Sequence, residues 1–168
     1  ATQEADELTQ VIPWDAEVRL DRLAGVVNAG TISEIDLGGE VNIASVPVND
    51  PELAVQLPPT VVAASPGALA AVRSHLLTGR FFDGGHSARA DRVAIIGIDA
   101  ANSLGIDRVD TQPFIFINDE LFAVIGIVDD VEREGGLLDA IVIPDGTAQK
   151  LFSLTAPARV IVDTKLGA

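Results

Sequence analysis

The sequence predicts an α+β fold of mixed sheets and short helices. Short apolar runs with strand character recur along the chain, short helical segments with start and stop residues fall between them, and the two kinds do not alternate as regular βαβ units. A chain of 168 residues can bury about two-thirds of its unfolded surface in one core, so a single domain is expected. A hydrophobic content of 48% is that of a folded protein.

Residues 1–12 read as a frayed helical entry. Asp15 is placed to cap a helix through about Leu23, with Ala16, Leu20 and Leu23 on one face and Gly25 just beyond. Trp14, the one tryptophan, is expected to pack near that start. Val27, Ala29, Thr31, Ser33, Ile35 and Leu37 alternate with a more polar set, which is strand periodicity. Gly38-Gly39 offers a two-residue hairpin turn to Val41–Ala44, and Asn49-Asp50-Pro51 and Pro58-Pro59 punctuate a loop. Thr60–Ala64 is a short apolar strand.

Ser65-Pro66-Gly67 has helix-start chemistry, with Leu69, Val72 and Leu76 as the buried stripe, His75 off it and Gly79 as the stop. Asp83–Asp91, with Gly84, Gly85 and His86, reads as a loop. Val93–Ile98 is an uninterrupted apolar strand expected at the centre of a sheet. Asp99 is placed to cap a helix that stops at Gly105. Phe114–Ile117 and Leu121–Val128 form a hairpin around Asn118-Asp119-Glu120, followed by a charged loop, Asp129–Gly136. Ala140–Ile143 is a buried strand, Asp145 is placed to cap a helix with Ala148, Leu151 and Phe152 inward, and Ala158–Val162 is the last strand.

Charge and composition exclude several functions. The net charge of −14, from 25 acids against 11 bases, opposes nucleic acid and an anionic membrane surface, both of which need clustered Lys and Arg. Without cysteine there is no disulfide, thiol nucleophile or thiolate metal site. Without methionine, and with no signal-peptide pattern at Ala1-Thr2-Gln3-Glu4, the sequence reads as a mature product or an excised soluble piece. The charge-free stretch Leu53–Val72 carries Pro58, Pro59 and Pro66, which a membrane-spanning helix does not accommodate.

Chemistry-bearing patterns are sparse. His75 and His86 are the only histidines, and there is no Gly-x-Ser-x-Gly elbow to pair with them. Asp129, Asp130, Glu132 and Glu134 cluster after the hairpin, but their spacing does not fit a calcium loop. A phosphate-binding glycine loop is absent. No carboxylate stands in an apolar run that would raise its pKa for acid–base work. The expectation is a domain that is not an enzyme and binds no cofactor or metal.

One ordered series of motifs remains. Leu76-Leu77-Thr78-Gly79-Arg80-Phe81-Phe82 is followed by Arg92-Val93-Ala94-Ile95-Ile96-Gly97 and by Ala100-Ala101-Asn102-Ser103-Leu104-Gly105. Next come Ile115-Phe116-Ile117-Asn118 and Phe122-Ala123-Val124-Ile125-Gly126-Ile127, then Ile141-Val142-Ile143-Pro144 and Ala148-Gln149-Lys150-Leu151. Over Leu76–Leu151 this resembles the extracytoplasmic (periplasmic core) domain of MacB-type ABC transporter permeases. The departures are Arg108–Pro113, where the family has Pro-Val-Gly, and Asn118-Asp119-Glu120, where it has Asn-Gly.

The resemblance implies a two-lobed extracytoplasmic domain, with about 65–138 as a lobe inserted between N- and C-terminal segments. It implies no catalytic residues here. ATP is used by a separate cytoplasmic ATPase subunit or domain, whose hydrolysis drives a motion that this domain relays for export or release of a substrate. The implied partners are the transmembrane part of the same permease, the cognate ABC ATPase and a second permease copy, at the extracytoplasmic face of a bacterial membrane. Gly79, Arg80, Phe82, Gly97 and Gly126 are then structural motif positions, with the Phe and Ile positions as core. Asp129, Asp130, Glu132 and Glu134 form the candidate partner-facing loop. The alternatives are a free-standing secreted binding or scaffold module, and a small hydrolase using His86 or the Asp129–Glu134 loop.

Overall fold

The computed structural model describes residues 11–39, 41–46 and 57–165. The expected loop at Asn49-Asp50-Pro51, and the first ten residues of the expected helical entry, lie outside them. The elements run α1 (Ala16–Leu20), β1 (Val26–Glu34), β2 (Ile43–Val46), β3 (Thr60–Ala64), α2 (Ala68–Ala71), β4 (Ser74–Gly79), α3 (Gly84–Arg89) and β5 (Val93–Gly97). They continue with α4 (Ile98–Leu104), β6 (Phe114–Ile117), β7 (Glu120–Val131), a 3-10 turn at Gly135–Asp139, β8 (Ala140–Pro144), α5 (Asp145–Phe152) and β9 (Arg159–Thr164). The architecture is α+β, as expected: one mixed sheet ordered β2-β6-β7-β5-β8-β3-β1-β9, with β4 also paired to β7.

The buried strand Val93–Gly97 is central because it has partners on both sides. It runs parallel to β7 along its whole length and antiparallel to β8 through Ile95↔Val142 and Ile96↔Ile141. That second seam, of two registered pairs, joins the half made by β2, β4, β6, β7 and β5 to the half made by β8, β3, β1 and β9. Alternate residues feed two cores. Ala94, Ile96, Ile115, Ile117, Phe122, Val124 and Ile141 pack on the side of α4 and α5, where Phe122 and Phe152 stack with ring centroids 6.3 Å apart. Ile95, Val128, Val142, Ile32 and Phe82 pack with α2 and Leu137 on the other. Each isoleucine buried this fully contributes about 1.5–3 kcal/mol.

Four expectations are corrected. The Gly38-Gly39 hairpin does not form. Both edges of β1 are taken by β3 and β9, and β2 pairs with β6 instead. The Ser65–Gly79 helix is one turn long, because Arg73 takes a left-handed conformation (φ 51°) and turns the chain into β4. His75 therefore lies on a strand. The Asp83–Asp91 stretch contains α3, started by a reciprocal capping box in which Asp83 accepts from the His86 amide. The charged loop begins late, since Asp129 and Asp130 are still in β7.

The expected caps also shift. Asp15 occupies the N-cap of α1, but its carboxylate takes the Arg19 guanidinium at 2.7 Å and α1 ends at Leu20. Ser65 Oγ accepts from the Thr31 amide at 2.8 Å, and Gly67 precedes α2. Gly97 is the N-cap of α4 and Pro144 that of α5, so Asp99 and Asp145 fall in first turns, where a negative charge suits the helix dipole. Trp14 is half-buried beside α1.

Candidate functional site

The four acids of the candidate partner-facing loop do not converge; each faces its own surroundings. Asp129 takes the His75 Nδ1 at 2.6 Å across the β4–β7 pair, and that hydrogen bond raises the His75 pKa. Asp130, in register with His75, is exposed. Glu132 meets Arg73 Nη1 at 3.0 Å and Glu134 meets Arg159 at 3.0 Å. Among the described residues, no group of three or more His, Asp or Glu side chains stands where it could hold a metal ion.

Sequence reasoning missed the strongest charged cluster beside that loop. Arg73 forks onto Asp163 with Nη2 at 2.9 Å and Nε at 3.2 Å, and Arg133 approaches the same carboxylate at 3.7 Å. Asp163 is buried, and the Arg73 hydrogen bonds hold its carboxyl below the usual range. Ninety positions separate Arg73 from Asp163. Following the apolar run Val160-Ile161-Val162, Asp163 reads from sequence as a strand-edge or loop residue, whereas it is buried within β9.

The motif residues sit where backbones meet. Gly79 has φ +88°, in the left-handed region, and a Cβ there would collide with the Ile125 carbonyl on β7. Gly97 lets the Leu137 and Leu138 carbonyls approach its Cα, and a Cβ on Gly126 would lie 2.7 Å from the Arg80 oxygen. Phe82 is buried in the second core. Arg80 is exposed, with Nη1 3.3 Å from His86 Nε2. Phe122 is core as expected, whereas Phe114 and Phe116 are 38% exposed because that part of the sheet is covered on one face only, and Phe81, in the link between β4 and α3, is 39% exposed.

The residues of the hydrolase alternative are engaged elsewhere. His86 is buried, with Nδ1 on the Asp83 carboxylate at 2.8 Å, and its neighbour Ser87 donates to Asp145. Neither histidine is paired with a serine in the described contacts. Ser87 and Asp145 instead tie α3 to α5, where the Gly146 amide also donates to Ser87 Oγ at 3.0 Å.

This is a mixed-sheet domain whose polar clusters lock strands and helices together. The family profile for the MacB-like periplasmic core domain matches residues 3–168, and the chain belongs to that family. It is similar in fold to the periplasmic region of MacB from Actinobacillus actinomycetemcomitans (13% identity, TM-score 0.65, covering 95% of this chain and 67% of that one). It is also similar to the extracellular domain of the noncanonic ABC-type transporter YknZ from Gram-positive bacteria (16%, TM-score 0.60, covering 94% and 82%). A third likeness is to a domain of a putative permease from Porphyromonas gingivalis (15%, TM-score 0.58, covering 95% and 70%). No curated protein matches the chain in sequence.

Proposed function

We propose that this domain is the non-catalytic extracytoplasmic part of an ABC transporter permease and relays ATP-driven motion for export or release of a substrate. The observation that carries this reading is the family match across residues 3–168. The geometry supports it. The Lys165 amide donates to the Gly25 carbonyl at 3.0 Å, so the first and last described strands, β1 and β9, lie side by side. A domain inserted between two neighbouring membrane helices has that arrangement. None of the described helices is long and apolar enough to cross a membrane.

In this reading ATP is consumed by a cytoplasmic ATPase, and the domain itself takes no cofactor. Its partners are the transmembrane part of the same permease, the cognate ATPase and a second permease copy. The lobe at about 65–138 carries β4 to β7 and meets β8 at the β5–β8 pair, across which both cores continue, so in this reading any shift of the halves moves shared core packing. The end of β7 and the turn after it, with Asp129, Asp130, Glu132 and Glu134, then face a partner.

These 168 residues hold no cysteine, so Leu57→Cys, at a position 84% exposed, adds one addressable thiol to this domain, read against the unsubstituted permease. In intact cells carrying the full-length permease, a membrane-impermeant maleimide should label that thiol from outside. Labelling only after lysis would refute the placement.

A further inference from the structure

One face of the sheet around β6 is open, apolar and ends at a cation. Val46 lies opposite Phe114, and Phe114 opposite Ala123; Ala44 lies opposite Phe116, and Phe116 opposite Leu121. Directly opposed residues share a face, and Val46, Phe114, Phe116 and Leu121 are each 38–39% exposed. The alternate residues Ile43, Ile115, Ile117 and Phe122 are 8% exposed or less. Among the described residues the sheet is therefore closed on one side and open on the other, and contiguous exposed apolar surface marks a binding site.

The same face continues along β7 to Ile125, and there it meets Arg80. Gly79 is in register with Gly126, and the Arg80 amide donates to the Ile125 carbonyl at 2.9 Å, which puts Arg80 opposite Ile125. β4 and β6 flank the same edge of β7, and between them lies a cleft of about 420 Å³ lined by Gly79, Arg80, Phe114, Ala123 and Ile125 among others. From Ile125 to Leu121 the lane runs four residues, about 13 Å at ~3.3 Å per residue.

Charge selects the occupant. Arg73, Arg89, Arg92, Arg108, Arg133 and Arg159 each lie 2.6–3.7 Å from a carboxylate. Arg80 has no carboxylate partner among the described residues, and its one described side-chain neighbour, His86 Nε2, lies 3.3 Å from Nη1, one end of a group with five N–H donors. A guanidinium with no carboxylate partner among the described residues, at the end of an apolar lane in a chain of net charge −14, complements an anion that carries a hydrocarbon tail. The same net charge opposes an anionic bilayer as the source.

We propose that this lane binds a soluble single-chain amphiphile with a carboxylate or phosphate head, the head at Arg80 and the tail along Ile125, Phe114, Phe116 and Leu121. The site stands on this chain alone and does not depend on the transport reading. The test is an amide chemical-shift titration of the 168-residue chain with decanoate, and in parallel with decyltrimethylammonium, both below micelle formation. Decanoate should bind about tenfold more tightly, as an added charge-assisted hydrogen bond provides, with the shifts confined to Arg80, Phe114, Phe116, Leu121 and Ile125. Non-specific attraction to so acidic a chain would favour the cation, so the order of affinities is diagnostic. Arg80→Gln should abolish the preference for decanoate while leaving weak tail binding. Leu121→Gln, checked for folding by circular dichroism, should weaken both ligands. Equal or tighter binding of the cation, shifts spread over the surface, or co-sedimentation with anionic phospholipid vesicles would overturn the proposal.

Discussion

At the residue scale, the motif glycines and the paired charges make different predictions. Gly97 touches two carbonyls of the 3-10 turn, so Gly97→Ala must push the turn off the sheet and should cost about 1–3 kcal/mol. Gly135→Ala, with open space around it, should stay within about 0.5 kcal/mol. Urea midpoints of the two variants check this directly. Asp163 has its pKa lowered by folding. It therefore stabilises the protein above the ordinary carboxylate range, and that contribution is lost as pH falls through the lowered value. Asp163→Asn should flatten the acid side of the stability–pH curve. His75 has its pKa raised, so its contribution is full below the ordinary histidine range and is lost as pH rises through the raised value. The effect is small at a side chain 71% exposed, and His75→Gln should remove it from the curve. The acidic residues after β7 were visible in the sequence, but their cations were not. Arg73 precedes Glu132 by 59 positions, and Arg159 follows Glu134 by 25.

At the element scale, what was legible is what local pattern decides. The β6–β7 hairpin, the central strand β5, and α4 with its Gly105 stop follow from apolar runs and turn residues a few positions apart. The failures have local causes too. Leu69, Val72 and Leu76 keep helical spacing across a break made by a left-handed Arg73, a residue type that does not announce one. The alternation of half-buried and exposed residues along β4 was hidden by the adjacent Leu76 and Leu77. The α3 helix was masked by Gly84-Gly85, although Asp83 followed three residues later by His86 was the signal that finds it. Asp83 accepts the His86 amide, and that bond holds its carboxyl below the ordinary range. Asp83→Ala should therefore speed hydrogen exchange across Gly84–Arg89, while the β5 amides stay protected.

At the scale of the whole molecule, the α+β class was readable because it needs only the mixture of elements. The sheet order was not, because β1 chooses β3 and β9 over the nearer β2, and no local signal encodes that choice. The resulting sheet has two halves joined at Ile95↔Val142 and Ile96↔Ile141. Under the proposed relay, those halves shift relative to one another when the intact permease binds ATP. The most direct measurement places spin labels on Asp119→Cys, in the β6–β7 turn, and Val160→Cys, on β9, and compares the label–label distance with and without nucleotide. A relay predicts distinct distance distributions in the two states. An unchanged distribution while the transporter hydrolyses ATP and moves its substrate would contradict it.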